Sequence, residues 1–166
     1  MNKDLVIENE NKDLIIKTAK KLEITPIFLS QKKDSYFSKE HDIHISKATR
    51  SNIENKQLKY HYFAEYLEEK DAMHHRRSGF NQILMNLMKE KQKILIITIE
   101  QLLEHEDKPL IIGRIKQNLK LAQKFDVEVK ICSFASKPEN LRPIKEMQSF
   151  IKTLGYEQIA KESVNY

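Results

Sequence analysis

The chain has one cysteine, Cys132, so an intrachain disulfide is excluded and a reducing compartment suits it. Glycine and proline are scarce, three and four in 166 residues, which leaves little room for long flexible linkers. No apolar run approaches the ~18 residues that a membrane-spanning helix needs. The N-terminus, Met1-Asn2-Lys3-Asp4, has no secretory-signal pattern. G-x-G-x-x-G and Walker-type loops are also missing, so nothing supports a nucleotide site. A single cytoplasmic domain over residues 1–166, away from membranes, is the expectation.

What is present is positive charge. A formal net charge of +5 suits a nucleic acid or another polyanion without demanding one. The stretch that organises the chain is Arg76-Arg77-Ser78-Gly79-Phe80-Asn81-Gln82, read as a basic turn that ends a strand and opens a helix over 79–92. Phe80, Ile83, Leu84, Leu87 and Met88 fall at i, i+3, i+4, i+7, i+8 and predict one apolar helix face. Ser78 or Gly79 is expected at the helix start, where free N–H groups need a partner. Two arginines beside the positive end of a helix dipole form a ready anion site. The plainer alternative is a solvated arginine pair at a capped helix.

Around this turn strand and helix patterns alternate. Strands are predicted at Leu5–Ile7, Pro26–Ser30, Asp42–Ser46, Leu58–Phe63, Ile94–Ile99 and Val127–Cys132. The unalternating run Ile94–Ile99 fits a strand covered on both faces. Residues 31–40 read as loop. Helices are expected after Asn11 (inner face Leu14, Ile15, Thr18, Ala19, Leu22), through Ile53, briefly over 64–70, around Leu102, and over 110–125, 143–154 and 157–163. In helix 110–125 the inner face is Ile111, Ile112, Ile115, Leu119 and Ala122, with Arg114, Gln117, Lys120 and Lys124 outside. This order predicts an α/β fold with parallel strands and right-handed crossovers. A closed eightfold barrel usually takes ~250 residues, so an open sheet or a reduced or incomplete barrel is expected.

Three blocks carry a resemblance: Lys70–Leu84 (KDAMHHRRSGFNQIL), Gly113–Leu121 (GRIKQNLKL), and Ile131–Ser136 (ICSFAS) with Leu141-Arg142. In order and spacing they resemble the ribonuclease P protein component 3 family, archaeal and eukaryotic subunits with a TIM-barrel-like fold related to the PHP type. The resemblance covers residues 70–155, while 1–69 match only in general layout. It implies a subunit with no catalytic residue, metal or cofactor of its own. The RNA of the enzyme would remove the 5′ leader of precursor tRNA, which this protein would meet only indirectly. The implied partners are the ribonuclease P RNA and the smaller protein component 2. Arg76, Arg77, Arg114, Lys116 and Arg142 are the expected phosphate-facing set. Ser78, Asn81, Asn118, Ser133 and Ser136 complete the candidate RNA-binding residues, with Asn118 equally able to satisfy a buried carbonyl.

Two features depart from the family pattern. Arg142-Pro143-Ile144 puts proline where the family has a capping serine, so a local anion contact is lost. The first strand also lacks the family's Asp-hydrophobic-His-like character, which implies a reduced front of the barrel. Two other classes compete. A PHP-type metal-dependent phosphoesterase needs His and Asp/Glu converging at strand ends, yet no His-x-His opens this chain. His44 is alone in its strand, and the adjacent His74 and His75 would point to opposite faces of a strand. An α/β scaffold that binds only protein is the third reading.

Overall fold

The apolar run Leu5-Val6-Ile7 anchors the first strand, Asn2–Ile7 (β1), and the computed structural model pairs it in parallel with Ile24–Lys32 (β2). The structure describes residues 2–33, 35–56, 61–63, 70–71, 73 and 76–163. Between β1 and β2 runs Lys12–Lys21 (α1), which buries Ile15 and Ala19. Leu14 is instead exposed, and the Asn11 side chain makes no cap; it donates to the Ser136 carbonyl at 3.2 Å. Pro26 lies inside β2 where it pairs with β1 alone, since pairing with the next strand begins at Ser30.

The stretch expected as loop holds a strand, Ser35–Ser38 (β3), antiparallel to both β2 and Ile43–Lys47 (β4). This corrects the all-parallel expectation. Four polar or aromatic residues are too few for a periodic signal, and their pairing comes from the neighbouring strands. Beyond β4 the sheet is parallel again: His61–Phe63 (β5), Leu95–Thr98 (β6) and Val129–Cys132 (β7). Among the described residues the order is β1 to β7 in sequence. The expected strand at 58–63 is described only at its end, and the expected helix over 64–70 lies outside the described residues apart from Lys70.

The helices are Arg50–Glu54 (α2), Gln82–Glu90 (α3), Ile99–Glu104 (α4), Lys108–Phe125 (α5), Ile144–Thr153 (α6) and Glu157–Glu162 (α7). One face of the sheet packs Leu95, Ile97, Val129 and Ile131 against α3, α5, α6 and α7. The other packs Leu5, Ile27, Leu29, Ile43, Ile45, Ile96, Cys132 and Phe134 against one another. Residues of β1, β2, β4, β6 and the end of β7 can meet there only if the sheet curls. Tyr36 meets Phe134 edge-on with ring centroids 4.8 Å apart.

The two ends of the sheet also meet. Phe134 N donates to Leu5 O and Ile7 N to Ala135 O, both at 2.9 Å, around a Val6–Ala135 bridge. On the same edge, Ile131 N donates to Ser163 O at the end of α7. The protein is thus a mixed α/β fold with a curled, half-barrel sheet.

Asp4 sits at this junction, fully buried, with Oδ1 accepting from Ser133 N at 2.9 Å and Oδ2 without a partner. Burial raises its pKa from 3.8 to about 6, against the lowering effect of the Ser133 hydrogen bonds. The folded protein therefore holds this proton more tightly than the unfolded chain. Asp4 then costs stability as pH rises through about 4 to 6, and the cost is constant above that. Asp4→Asn keeps an acceptor for Ser133 N. In urea unfolding the variant should match wild type near pH 4 and exceed it at pH 7, by on the order of 2–3 kcal/mol. Equal stabilities at both pH values would refute this.

Candidate nucleic-acid interface

The helix after the basic turn begins later than its apolar spacing predicts. Gly79 takes a left-handed φ of 82° and Asn81 an extended one of −137°. It is the Asn81 side chain, not Ser78 or Gly79, that caps α3 by accepting from Leu84 N at 2.9 Å. The inward face shifts accordingly. Met85 and Met88 are buried, Leu84 and Leu87 are half-buried, and Ile83 is 67% exposed. Residues 76–81 form no strand.

Ser78 is free to be absent from the cap because α5 uses it. Arg114, Gln117 and Asn118 lie at i, i+3 and i+4 along one flank of α5. Gln117 Nε2 donates to Ser78 Oγ at 2.9 Å and to Arg76 O at 3.0 Å; Asn118 Nδ2 donates to Ser78 O at 2.9 Å. Arg114, expected on the outer face, is 0% exposed and reaches Asp71 Oδ1 through Nε at 3.1 Å and Nη2 at 2.9 Å. Arg77 N donates to the same oxygen at 2.8 Å. Partial burial pushes the Asp71 carboxyl up. The Arg77 N–H, the Arg114 guanidinium and the Arg76 charge together outweigh it and hold the pKa below the ordinary value.

Arg114, Ser78 and Asn118 are thus engaged in a clasp that fixes the turn. Of the expected phosphate-facing set, Arg76, Arg77 and, on α5, Lys116 are exposed. The Arg76 guanidinium lies directly on Gly113, where an added Cβ would come within 1.3 Å of Nη1. A glycine inside an 18-residue helix costs about 1 kcal/mol against alanine, and here the space it leaves is filled by that arginine. Gly113, Gln117 and Asp71 were not singled out from sequence. The i, i+3, i+4 spacing of α5 was available as a signal, but nothing linked it to a carboxylate 43 residues away.

The remaining candidates form a second cluster after β7, and its polar groups are already engaged. Ser133 is buried, and its hydroxyl accepts from Arg142 N at 3.0 Å. Ser136 Oγ donates to Glu100 Oε1 at 2.6 Å, while its N–H bonds the same carboxylate. Asn140 bridges Glu100 and Glu104, and Lys137 pairs with Glu104 at 3.0 Å. Arg142 folds Nη1 back onto the Glu139 and Leu141 carbonyls, at 2.6 and 2.7 Å. With two carboxylates at its centre this cluster is a poor phosphate site. Pro143 precedes α6 without any side-chain cap, as its sequence implied.

The histidines invoked for a metal centre are spread out. His41 lies near Ser38, and His105 accepts from Asp107 N. Burial holds the half-exposed His44 below its ordinary pKa. His74 and His75 lie outside the described residues. Among the described residues, no three His, Cys, Asp or Glu side chains gather as metal ligands.

A curled α/β sheet carrying a clasped basic turn on one long helix is the class of architecture that the coordinates define. Its likeness to solved structures agrees. The fold is similar to a chain in the cryo-EM structure of archaeal ribonuclease P with mature tRNA, with a TM-score of 0.62 and 16% identity, over 98% of this chain and 77% of that one. In sequence the chain is similar to ribonuclease P protein component 3 of Methanosarcina mazei, 34% identical over 83 residues. That match takes in 49% of this chain and 35% of the relative, so the chain spans about a third of the length of the curated protein it matches. No model of a known protein family matches the chain. The family resembled by the three sequence blocks is the family of this relative.

The clasp separates stability from surface charge. Arg114→Ala leaves Asp71 without its guanidinium and should lower unfolding free energy by about 3 kcal/mol. Gly113→Ala should keep or raise stability by up to about 1 kcal/mol, because only the tip of a flexible side chain must move. It should also shift the Arg76 side-chain resonances in nitrogen-labelled protein. Urea unfolding and NMR check both, and a destabilised Gly113→Ala with unmoved Arg76 signals would contradict the packing described.

Proposed function

We propose that this protein is a non-catalytic subunit of ribonuclease P, acting in the cytoplasm. It would bind and steady the catalytic RNA while that RNA removes the 5′ leader of precursor tRNA. The observation that carries the reading is the acid-free helix α5. Between Lys108 and Phe125 it contains Lys108, Arg114, Lys116, Lys120 and Lys124 and no Asp or Glu. Gly113, Lys116, Lys120 and Lys124 fall within about 100° of the helix circumference at 100° per residue. Arg76, lying on Gly113, therefore heads a cationic stripe roughly 16 Å long at 1.5 Å per residue. Neighbouring charges along it are about one helical turn apart. That arrangement meets a phosphate backbone by charge alone, with no need to read bases. Arg77, exposed beside Arg76, adds to the head of the stripe.

The similarity to a ribonuclease P component and to a chain of the archaeal ribonucleoprotein supports RNA as the polyanion. In this reading the curled sheet is a reduced form of the TIM-like barrel of that family. The half of the curled sheet's interior that a phosphoesterase would line with ligands is filled by Leu, Ile, Cys132 and Phe134. Protein component 2 is the partner that the family resemblance suggests.

Binding to a transcript of an archaeal ribonuclease P RNA, titrated with salt, tests the reading. Wild type should lose affinity steeply, and the triple variant Arg76→Ala, Lys116→Ala, Lys120→Ala should lower the slope of log K against log salt by about 2 to 3. Binding by wild type that ignores salt, or a triple variant with an unchanged slope, would refute it. In reconstitution with the RNA and the other protein subunits, leader removal should depend on this chain.

A further inference from the structure

The cleft between α6 and α7 lies outside every residue used so far. Lys145, Gln148, Ser149 and Lys152 recur at i, i+3, i+4 and i+7 along α6 and face Glu157, Ala160 and Lys161 of α7 across a cavity of about 320 Å³. It is lined by three lysines and one carboxylate. Glu157 pairs with Lys152 at 3.5 Å and with Lys161 at 3.6 Å. The charges of Lys152 and Lys161 hold the Glu157 carboxyl below its ordinary range. All three partners are more than half exposed, so these pairs add little to stability.

The cleft is rigidly joined to the α5 stripe. Gln148 Nε2 donates to Ala160 O at 2.9 Å and holds the cleft's two walls together. Tyr156, which opens α7, donates its hydroxyl to Lys116 O at 3.2 Å. One stripe residue therefore sits one hydrogen bond from the entrance of α7. We infer that the Lys145–Lys152–Lys161 cleft is a second phosphate-binding site for an RNA strand, on helices tied to α5 by the Tyr156–Lys116 contact. Glu157 holds the lysines in place and tempers their charge until phosphate displaces it. The inference rests on the RNA-binding reading above and adds where a second segment of backbone is held. With three lysines and one carboxylate the cleft keeps a net of two positive charges, and RNA is the occupant argued for because the neighbouring α5 stripe is read as meeting the same polymer.

The test compares wild type, Lys145→Gln/Lys152→Gln/Lys161→Gln and Glu157→Gln in salt-titrated binding to an archaeal ribonuclease P RNA transcript. The triple glutamine variant should melt like wild type, bind at least tenfold more weakly at 0.15 M salt, and show a slope lower by about 2. Glu157→Gln should bind severalfold more tightly with a steeper salt dependence, an outcome that a purely structural ion pair would not give. A triple variant with the wild-type slope, beside a salt-dependent wild type, overturns the cleft and leaves the first reading standing. So does loss of a co-purifying protein partner with RNA affinity unchanged. A wild type that fails to bind RNA removes both.

Discussion

The arrangement rests on the ion pair between Arg114 and Asp71. A guanidinium with no exposed surface has given up its hydration, and removing its carboxylate partner would leave that charge unpaired in a poorly solvated site. The fold therefore keeps Asp71 and residues 76–78 against α5. Gln117 and Asn118, one turn on, hold the backbone of the same segment at Arg76 and Ser78. A buried ion pair contributes little net stability compared with an apolar contact of the same volume. Its value here is directional, since two N–H groups on one carboxylate oxygen set where the chain lies. From that fixed point Arg76 reaches over Gly113, and the exposed charge of a loop becomes part of a helix surface.

The curled sheet supports this by giving α5 a stable floor. Ile111, Ile115, Leu119 and Ala122 pack on β6 and β7, so one face of α5 is committed to the core, a flank to the turn, and the rest to solvent. The antiparallel β3 lets β2 and β4 belong to one sheet without a helical crossover between them. The bridge from β7 to β1 then draws the two ends together, and the concave side fills with aliphatic side chains. Among the described residues, the exposed cations named above lie on the outer, helical surface.

Much of this was legible in the sequence, and the exceptions share a cause. β6 was plain because Leu95-Ile96-Ile97 is an unbroken apolar run and Leu95–Thr98 is buried on both faces. The inner face of α5 was plain because Ile111, Ile115, Leu119 and Ala122 keep helical spacing. Arg114 was misplaced for the same reason: a helical pattern separates apolar from polar positions but cannot register that a distant carboxylate covers a polar flank. Ser78 was read as a cap because local chemistry allows it, whereas its hydroxyl is taken by Gln117, 39 residues away. The hydroxyls of Ser133 and Ser136 look available in a loop, yet one is buried and the other bound to Glu100. Each error concerns a polar side chain whose partner is remote in sequence. Two of the blocks that carry the resemblance to ribonuclease P protein component 3, 70–84 and 113–121, are the ones these long-range contacts join.

The central claim is that clasped cations on α5 and its turn meet RNA while the polar cluster around Glu100 does not. Lysine acylation of the protein, free and bound to a ribonuclease P RNA, read residue by residue in a mass spectrometer, tests it most directly. Strong protection of Lys116 and Lys120 in the complex is expected, with Lys17, Lys20, Lys21 on α1 and Lys137 beside Glu104 modified at the free-protein rate. Protection of Lys137 or the α1 lysines, with Lys116 and Lys120 still fully reactive, would contradict it.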